Sequence, residues 1–256
     1  MTKASTAALM IVGNEILSGR TRDANLQFLG EQLNELGIRM MEARIVADIP
    51  EAIVEAVNTL RSRYDYVFST GGIGPTHDDI TAECIAKAFG LPFGPHAEAV
   101  AILDARYENP EDRTPARYRM ANTPEGASLI YNPVSGAPGF QIENVFVMAG
   151  IPRVMQGMFD GIKSQLKGGK PLVSRTVRSD VPEGKVGGPL GELQAKHPDI
   201  DIGSYPFSRD GTPGSNIVVR AEDPAMADKV IAEVFDLLTS LGGKPIMQKS
   251  ADESAA

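Results

Sequence analysis

Cysteine, histidine and long apolar runs are all scarce in this sequence of 256 residues. The one cysteine, Cys84, excludes an internal disulfide and a zinc site built from cysteines. Cys84 falls on the apolar side of a predicted helix, which is typical of a small buried hydrophobe. The sequence has three histidines and no Gly-x-Ser-x-Gly elbow, so nothing in it supports covalent acyl transfer. No apolar run reaches the length of a bilayer-spanning helix, and we expect no membrane partner.

A surplus of basic residues is also lacking. The net charge of −8 argues against bulk nucleic-acid binding, which needs a basic face. One local basic cluster, 113-RTPARYRM-120, is interpreted as a solvated helix face, with phosphate binding as the less favoured alternative. The N-terminal segment 1-MTKASTAALMIVGNEI-16 has no cleavage-type stretch after its apolar part, so we interpret it as a first strand and expect a cytoplasmic protein.

Apolar strand patterns alternate with amphipathic helix patterns through the first two-thirds of the chain. The predicted strands cover residues 7–12, 38–46, 66–70 and 144–150, and the predicted helices cover 24–37, 49–63, 81–89, 96–107 and 152–166. Such alternation requires crossover connections and therefore predicts an α/β domain with a mostly parallel sheet. In such sheets, ligands bind beyond the carboxyl ends of the strands.

The pattern changes after 167-KGGKP-171. The remainder reads β-α-β-β-α, which predicts a small C-terminal α+β lobe. Its strands are expected at 172–178, 200–207 and 216–221, and its helices at 186–197 and 224–241. We thus predict an α/β domain over residues 1–168, a lobe over 169–246 and a disordered polar tail over 247–256.

The loop 69-STGGIGPTHDDIT-81 is the strongest functional signal. It joins a strand to a helix, and Gly71, Gly72 and Gly74 allow its backbone to approach phosphate oxygens closely. It lacks the Gly-Lys-Ser/Thr of a Walker loop and the third glycine of a dinucleotide fingerprint. Of its two adjacent aspartates, Asp78 and Asp79, a helix cap would use only one, and the other is suited to hold Mg²⁺.

Three further loops are expected at the same sheet edge. In 47-ADIPE-51, Asp48 matches a helix N-cap, so capping is its default role, although it can face the site as well. In 13-GNEILSGRTRD-23, Glu15 is a candidate ligand or base, and a charged loop in solvent is the favoured alternative. The fourth loop is 150-GIPR-153. His77 is interpreted as a turn residue, and His96 and His197 as structural.

Four segments together resemble the molybdopterin-binding domain family, most closely the N-terminal domain of competence/damage-inducible proteins and the related domain of eukaryotic FAD synthases. They are 13-GNEILSGRTRDAN-25, 69-STGGIGPTHDDITAE-83, 135-SGAPGF-140 and 149-AGIPRVM-155. The resemblance implies a three-layer α/β/α fold, a homo-oligomer and a site for a pterin or a nucleotide pyrophosphate. It also implies that Asp79 and Asp48 are needed for catalysis. Asn14 departs from the family, where aspartate is usual, and this puts metal affinity in doubt.

We therefore expect a metal-dependent nucleotide pyrophosphatase that hydrolyses a dinucleotide such as ADP-ribose or FAD, with Mg²⁺, Mn²⁺ or Co²⁺. Asp48, Asp79 and Glu15 are the expected catalytic residues, and Asp78 and Asp79 the expected metal ligands. The alternatives are a molybdopterin adenylyltransferase and a non-catalytic pterin- or nucleotide-binding protein. The residues expected to bind the nucleotide or pterin are Ser18, Gly19, Arg20, Gly71, Gly72, Gly74, Thr76, Gly150 and Pro152.

Overall fold

The computed structural model describes residues 4–209 and 211–248 of the chain. The chain divides into two compact units, of which the first ends at Gly169 and the second begins at Lys170. Among the described residues, no helix is both long enough and apolar enough to cross a bilayer.

The first unit contains the strands and helices that the alternating pattern predicts, and several short elements besides. Its strands among the described residues are β1 (Thr6–Val12), β2 (Arg39–Val46), β3 (Tyr66–Thr70), β4 (Phe93–Pro95), β5 (Asn122–Pro124), β6 (Ser128–Ile130), β7 (Gly139–Ile142) and β8 (Val145–Met148). Its described α-helices are α1 (Asn14–Leu17), α2 (Asn25–Glu35), α3 (Pro50–Arg63), α4 (Thr81–Phe89), α5 (Ala97–Arg106), α6 (Pro115–Tyr118) and α7 (Pro152–Ile162).

Most of these strands form one mixed sheet in the order β2-β1-β3-β8-β7-β6. The first four strands in this order are parallel, and β7 and β6 continue the sheet antiparallel. The prediction of a mostly parallel sheet is therefore confirmed. The two antiparallel strands, and the separate pair of β4 with β5, lie in stretches that the sequence did not resolve into strands. They are only three or four residues long, too short to show a periodicity.

The central strand β1 is buried on both faces. Ala7, Leu9 and Ile11 pack into one core cluster, which includes residues of α2 and α7. The intervening side chains of β1 pack into a second cluster, with residues of α3 and α4. Helices thus cover both faces of the sheet, and the three-layer α/β/α fold is confirmed. A strand buried on both faces reads as a continuous apolar run, as 7-AALMIV-12 does.

The order of the sheet also locates the site. The chain adds β2 on one side of β1 and then β3 on the other, so the winding direction reverses at β1. The carboxyl ends of β1 and β3 flank this switch point, where ligands bind in open α/β sheets. The loops at residues 13–24 and 71–80 begin there.

The second unit is a two-layer α+β lobe, as predicted. Its described elements are β9 (Val173–Ser179), α8 (Glu183–Lys196), β10 (Asp201–Arg209), β11 (Thr212–Ala221), α9 (Pro224–Ser240) and β12 (Ile246–Gln248). The sheet is antiparallel in the order β10-β11-β9-β12, and α8 and α9 contribute to its core. His197 bonds to Glu233 at 3.0 Å, in keeping with a structural role.

One boundary in the second unit differs from the expectation. Met247 and Gln248, assigned to a disordered tail, belong to β12 and pair with Val177 and Thr176 of β9. A strand of three residues, two apolar and then one polar, shows no alternation from which it could be predicted. The rest of the expected tail, residues 249–256, lies outside the described residues.

The environment of Cys84 generates a first prediction. Cys84 is 3% exposed, and burial in the second core cluster raises the pKa of its thiol to about 11. Because the thiolate is the reactive form, about one thiol in a thousand is ionised at pH 8. We expect a disulfide reagent to label the native protein at least about 100-fold more slowly than the urea-unfolded protein. A Cys84→Ser variant gives the background, and equal rates for native and unfolded protein would contradict the buried position.

Candidate functional site

Two consecutive glycines form the turn that follows β3. Gly71 and Gly72 both have left-handed backbones, with φ of 95° and 68°. A Cβ atom on Gly71 would lie 2.2 Å from the carbonyl oxygen of Val12, and one on Gly72 would lie 2.1 Å from Oγ1 of Thr81. Side chains are therefore excluded here both by the backbone angle and by space.

Backbone hydrogen bonds hold this turn between neighbouring elements. The N–H of Gly71 donates to the carbonyl of Met148 at the end of β8, at 3.2 Å. The N–H of Thr81, the first residue of α4, donates to the carbonyl of Gly72 at 2.9 Å. The turn therefore has a fixed position relative to β8 and to the start of α4.

The loop after β8 reaches the same turn. A Cβ atom on Gly150 would lie 3.2 Å from Cα of Gly71, so the two loops touch through their backbones. The side-chain amide of Asn25, the first residue of α2, donates to the carbonyl of Gly150 at 2.8 Å. Asn25 is 3% exposed, and the sequence did not single it out. Pro152 is the first residue of α7.

Several buried polar atoms around the turn have no hydrogen-bond partner among the described residues. They are Oδ1 of Asn25 and the hydroxyl oxygens of Ser69, Thr70 and Thr81. An unpaired buried polar group costs about 1–3 kcal/mol, and native structures keep few of them. Four such atoms close to one turn are unusual, and each of them could form a hydrogen bond with a ligand or with water. The sequence does not reveal these unpaired atoms, because Ser69 and Thr70 fit the pattern of a strand and Asn25 fits the pattern of a helix.

The carboxylate of Asp79 closes the turn within its own loop. Its Oδ2 accepts hydrogen bonds from the N–H of Thr76 at 2.8 Å and from the hydroxyl of Thr76 at 2.5 Å. A Cβ atom on Gly74 would lie 2.7 Å from the same oxygen. Ile80 is the N-cap of α4, and no described side chain caps this helix. The interpretation of Asp78 or Asp79 as a helix cap is therefore wrong.

Asp78 and His77 point to solvent. The His77 side chain is 96% exposed, and its Nδ1 lies 3.9 Å from Oδ1 of Asp78. The nearby Thr76 hydroxyl, the Asp78 backbone N–H and the His77 ring hold the pKa of Asp78 below its ordinary value. Asp78 therefore stays ionised at neutral pH, as a metal ligand has to be.

Asp48 contacts the first loop instead of capping its own helix. Ile49 is the N-cap of α3, and this helix has no side-chain cap in the described part of the chain. The Oδ2 atom of Asp48 instead accepts a hydrogen bond from the N–H of Asn14, at 2.8 Å. The predicted capping role of Asp48 is therefore wrong. Its carboxylate instead accepts the hydrogen bond of the Asn14 N–H, which belongs to a distant loop.

The first loop folds into the short helix α1 and a surface turn. The Glu15 side chain is exposed, and its carboxylate lies so close to Gly13 that a Cβ atom there would be 2.5 Å from Oε1. Ser18, Gly19 and Arg20 are exposed too. Gly19 has a φ of 73°, and apart from its two chain neighbours no described residue has an atom within 4 Å of the position that its Cβ would take.

A cation fits this donor set only in combination with a ligand. Within residues 4–209 and 211–248, no three carboxylate, imidazole or thiol groups come together as a metal site. Mg²⁺, however, binds through one or two carboxylates and completes its shell with water and phosphate oxygens. Asp79 uses only Oδ2 in its bonds to Thr76, and Asp78 is exposed, so both have oxygens to offer.

The two left-handed glycines allow a matched test of the turn. We expect Gly19→Ala to cost about 1 kcal/mol of unfolding free energy, because only the backbone angle is unfavourable. Gly71→Ala should cost more than about 3 kcal/mol, because the Val12 carbonyl has to move as well. Urea unfolding of both variants measures the difference, and equal losses would contradict the close approach at Gly71.

Comparison with known proteins shows which families the two units match. The family model described as "Probable molybdopterin binding domain" matches residues 8–168, and that of "FAD synthase, middle domain" matches residues 171–242. A protein of Pyrobaculum arsenaticum is 33% identical over 257 residues, which cover 94% of this chain and 97% of that protein.

Two further relatives carry the name CinA. A CinA-like protein of Thermosynechococcus vestitus is 30% identical over 241 residues, which cover 90% of this chain but 57% of the relative. The crystal structure of CinA from Thermoplasma acidophilum, a protein of unknown function, has 34% identity and a TM-score of 0.60, and covers 63% of this chain and 98% of that one. The chain belongs to the molybdopterin-binding domain family, with CinA-like relatives and a second unit that matches the FAD synthase middle domain.

Proposed function

We propose that the chain is a divalent-metal-dependent nucleotide pyrophosphatase that hydrolyses a dinucleotide such as ADP-ribose or FAD. The observation that carries the proposal is the turn at Gly71 and Gly72. Its backbone carries no side chains and is fixed by hydrogen bonds to neighbouring elements. Such a turn can approach phosphate oxygens closely, and the positive end of α4 follows it. The match of the second unit to a domain of FAD synthase favours a nucleotide substrate.

In the proposed reaction, water attacks one phosphorus of the anhydride, and the P–O–P bond breaks. The bridging oxygen leaves with the other phosphate, so that ADP-ribose gives AMP and ribose 5-phosphate, and FAD gives AMP and FMN. Asp48 or Glu15 orients the water and accepts its proton. Its bond to Asn14 uses Oδ2, so Oδ1 of Asp48 is left for this role in the described part of the chain.

The phosphates would lie along the glycine-rich turn. Asp78 and Asp79 would hold the divalent cation through their remaining carboxylate oxygens. When bound, the cation neutralises charge that develops on the transferring phosphoryl group. Asn14 offers a neutral amide where the family has a carboxylate, so we propose that metal binding is weaker here than in relatives with aspartate. A homo-oligomer and a cytoplasmic location remain part of this proposal.

The family match favours a second candidate, a molybdopterin adenylyltransferase. It would use the same turn and the same aspartates, Asp48 and Asp79. The nucleophile would then be a pterin phosphate, and the anhydride attacked would be that of ATP. The two reactions differ in their acceptor and are separated by the choice of substrate.

Asp79→Asn is the decisive variant. Asparagine keeps a side-chain oxygen that can accept the bonds from Thr76, but it removes the negative charge. We expect turnover of ADP-ribose or FAD to fall at least about 100-fold, as when one stabilising group is lost from a transition state. The melting temperature should change by less than about 3 °C. Asp160→Asn, an exposed aspartate on α7, is the matched control and should keep full activity.

The assay uses metal-stripped protein with Mg²⁺, Mn²⁺ or Co²⁺ added back, and separates the products by chromatography. AMP formed from ADP-ribose or FAD only with metal, and not by Asp79→Asn, supports the pyrophosphatase. No product from either substrate, with adenylylation of a pterin phosphate by ATP, would establish the second candidate instead. Binding without any turnover would leave a non-catalytic protein.

A further inference from the structure

A cleft opens beside the glycine-rich turn, between α4 and the segment that contains β4, β5 and β7. It has a volume of about 270 Å³. Gly74 and Asp79 form the part of its wall that belongs to the proposed phosphate site. Glu83, Phe93 and Arg119 are among its other lining residues.

The lining of the cleft mixes apolar and polar groups, and it includes three charged side chains, those of Asp79, Glu83 and Arg119. Glu83 on α4 and Arg119 are both exposed, and neither has a hydrogen-bond or ion-pair partner among the described residues. Phe93 is 38% exposed and offers a ring surface. Apolar surface combined with a few convergent polar groups is the usual form of a small-molecule site.

The other arginines of the basic cluster 113–120 behave differently. Arg113 donates to the carbonyls of Tyr107 and Asp104, at 2.8 and 3.1 Å. Arg117 bonds to the carboxylate of Asp112 at 2.6 Å, and its guanidinium lies 4.4 Å from the centre of the Tyr107 ring. These two arginines stabilise their own segment. Arg119 is the member of the cluster that remains available to a ligand.

The size of the cleft limits what can enter it. Sites for drug-sized ligands start at about 300 Å³, so a cleft of about 270 Å³ accommodates one heterocycle but not a whole dinucleotide. Because Gly74 and Asp79 lie at its wall, a base in the cleft would place its own phosphate next to the glycine-rich turn.

We propose that this cleft binds the base of the substrate nucleotide, and that the base carries an exocyclic amino group, as adenine does. The base packs against Phe93, Glu83 accepts a hydrogen bond from its amino group, and Arg119 binds the adjoining phosphate. The inference rests on the proposed function, since it assumes a nucleotide whose phosphates lie on the turn. It adds two specificity residues, Glu83 and Arg119, outside the loops considered so far.

The test measures AMP and adenosine binding by calorimetry, because neither compound has an anhydride and neither result depends on turnover. We expect Arg119→Ala to weaken AMP binding about 10- to 100-fold and adenosine binding less than about 3-fold. Glu83→Gln should weaken both ligands about 10-fold. Arg119→Lys keeps the charge and should recover part of the AMP affinity. Lys87→Ala, an exposed position one turn after Glu83 on α4, is the control and should bind as the unmutated chain does.

The outcomes separate the two proposals. Unchanged AMP affinity in folded Arg119→Ala and Glu83→Gln proteins overturns the base site, and so does an unmutated protein that does not bind AMP. A pyrophosphatase activity that persists in these cases leaves the proposed function intact. The expected losses of AMP affinity, in a protein that hydrolyses neither ADP-ribose nor FAD, would support the cleft and overturn the pyrophosphatase.

Discussion

The approach of Gly71 to the carbonyl of Val12 is the constraint on which the site depends. The sheet order places β1 and β3 side by side, so the turn after β3 has to pass directly over the end of β1. It does so only because residue 71 has no Cβ, and Gly150 also packs against Gly71. Three loops that are far apart in the chain therefore meet through their backbones. A site built from packed backbone is rigid before any ligand arrives, which is what binding an anion with fixed N–H groups requires.

The carboxylates near this turn have two roles. Asp48 and Asp79 each direct one oxygen at an N–H, that of Asn14 and that of Thr76, and so fix the loops that surround the turn. The second oxygen of each carboxylate remains for a cation or for water. Their contribution to structure and their proposed contribution to chemistry therefore come from different atoms of the same group. Replacement by asparagine separates these contributions, because the amide oxygen still accepts a hydrogen bond while the charge is gone.

The sequence predicts a strand or a helix well where its apolar pattern is continuous over several residues. The buried run of β1 and the amphipathic periods of α3 and α4 predicted those elements closely, and with them the fold class. Strands β4 to β7 escaped because each is short and lies among prolines and glycines. In the site, the glycines and Asp79 carried a recognisable signal.

The sequence 48-DIPE-51 contains every feature of a local cap, and it therefore predicts the wrong partner for Asp48. The actual donor, the N–H of Asn14, lies 34 residues earlier in the chain, and no local pattern reveals such a partner. The same limit applies to Arg119. The sequence does not show that Arg113 and Arg117 are hydrogen-bonded while Arg119 remains available to a ligand.

The pairing of β12 with β9 has a consequence for how the second unit can be used in longer proteins. β9 is its first strand and β12 its last described strand, and they run antiparallel with Gln248 opposite Thr176. Val173, where β9 begins, and Gln248, where β12 ends, therefore lie at the same end of two neighbouring strands. A domain with adjacent entry and exit points can be inserted between other domains without separating them, as modular architectures require. Between Val173 and Gln248, the second unit has the adjacent ends that such an insertion requires.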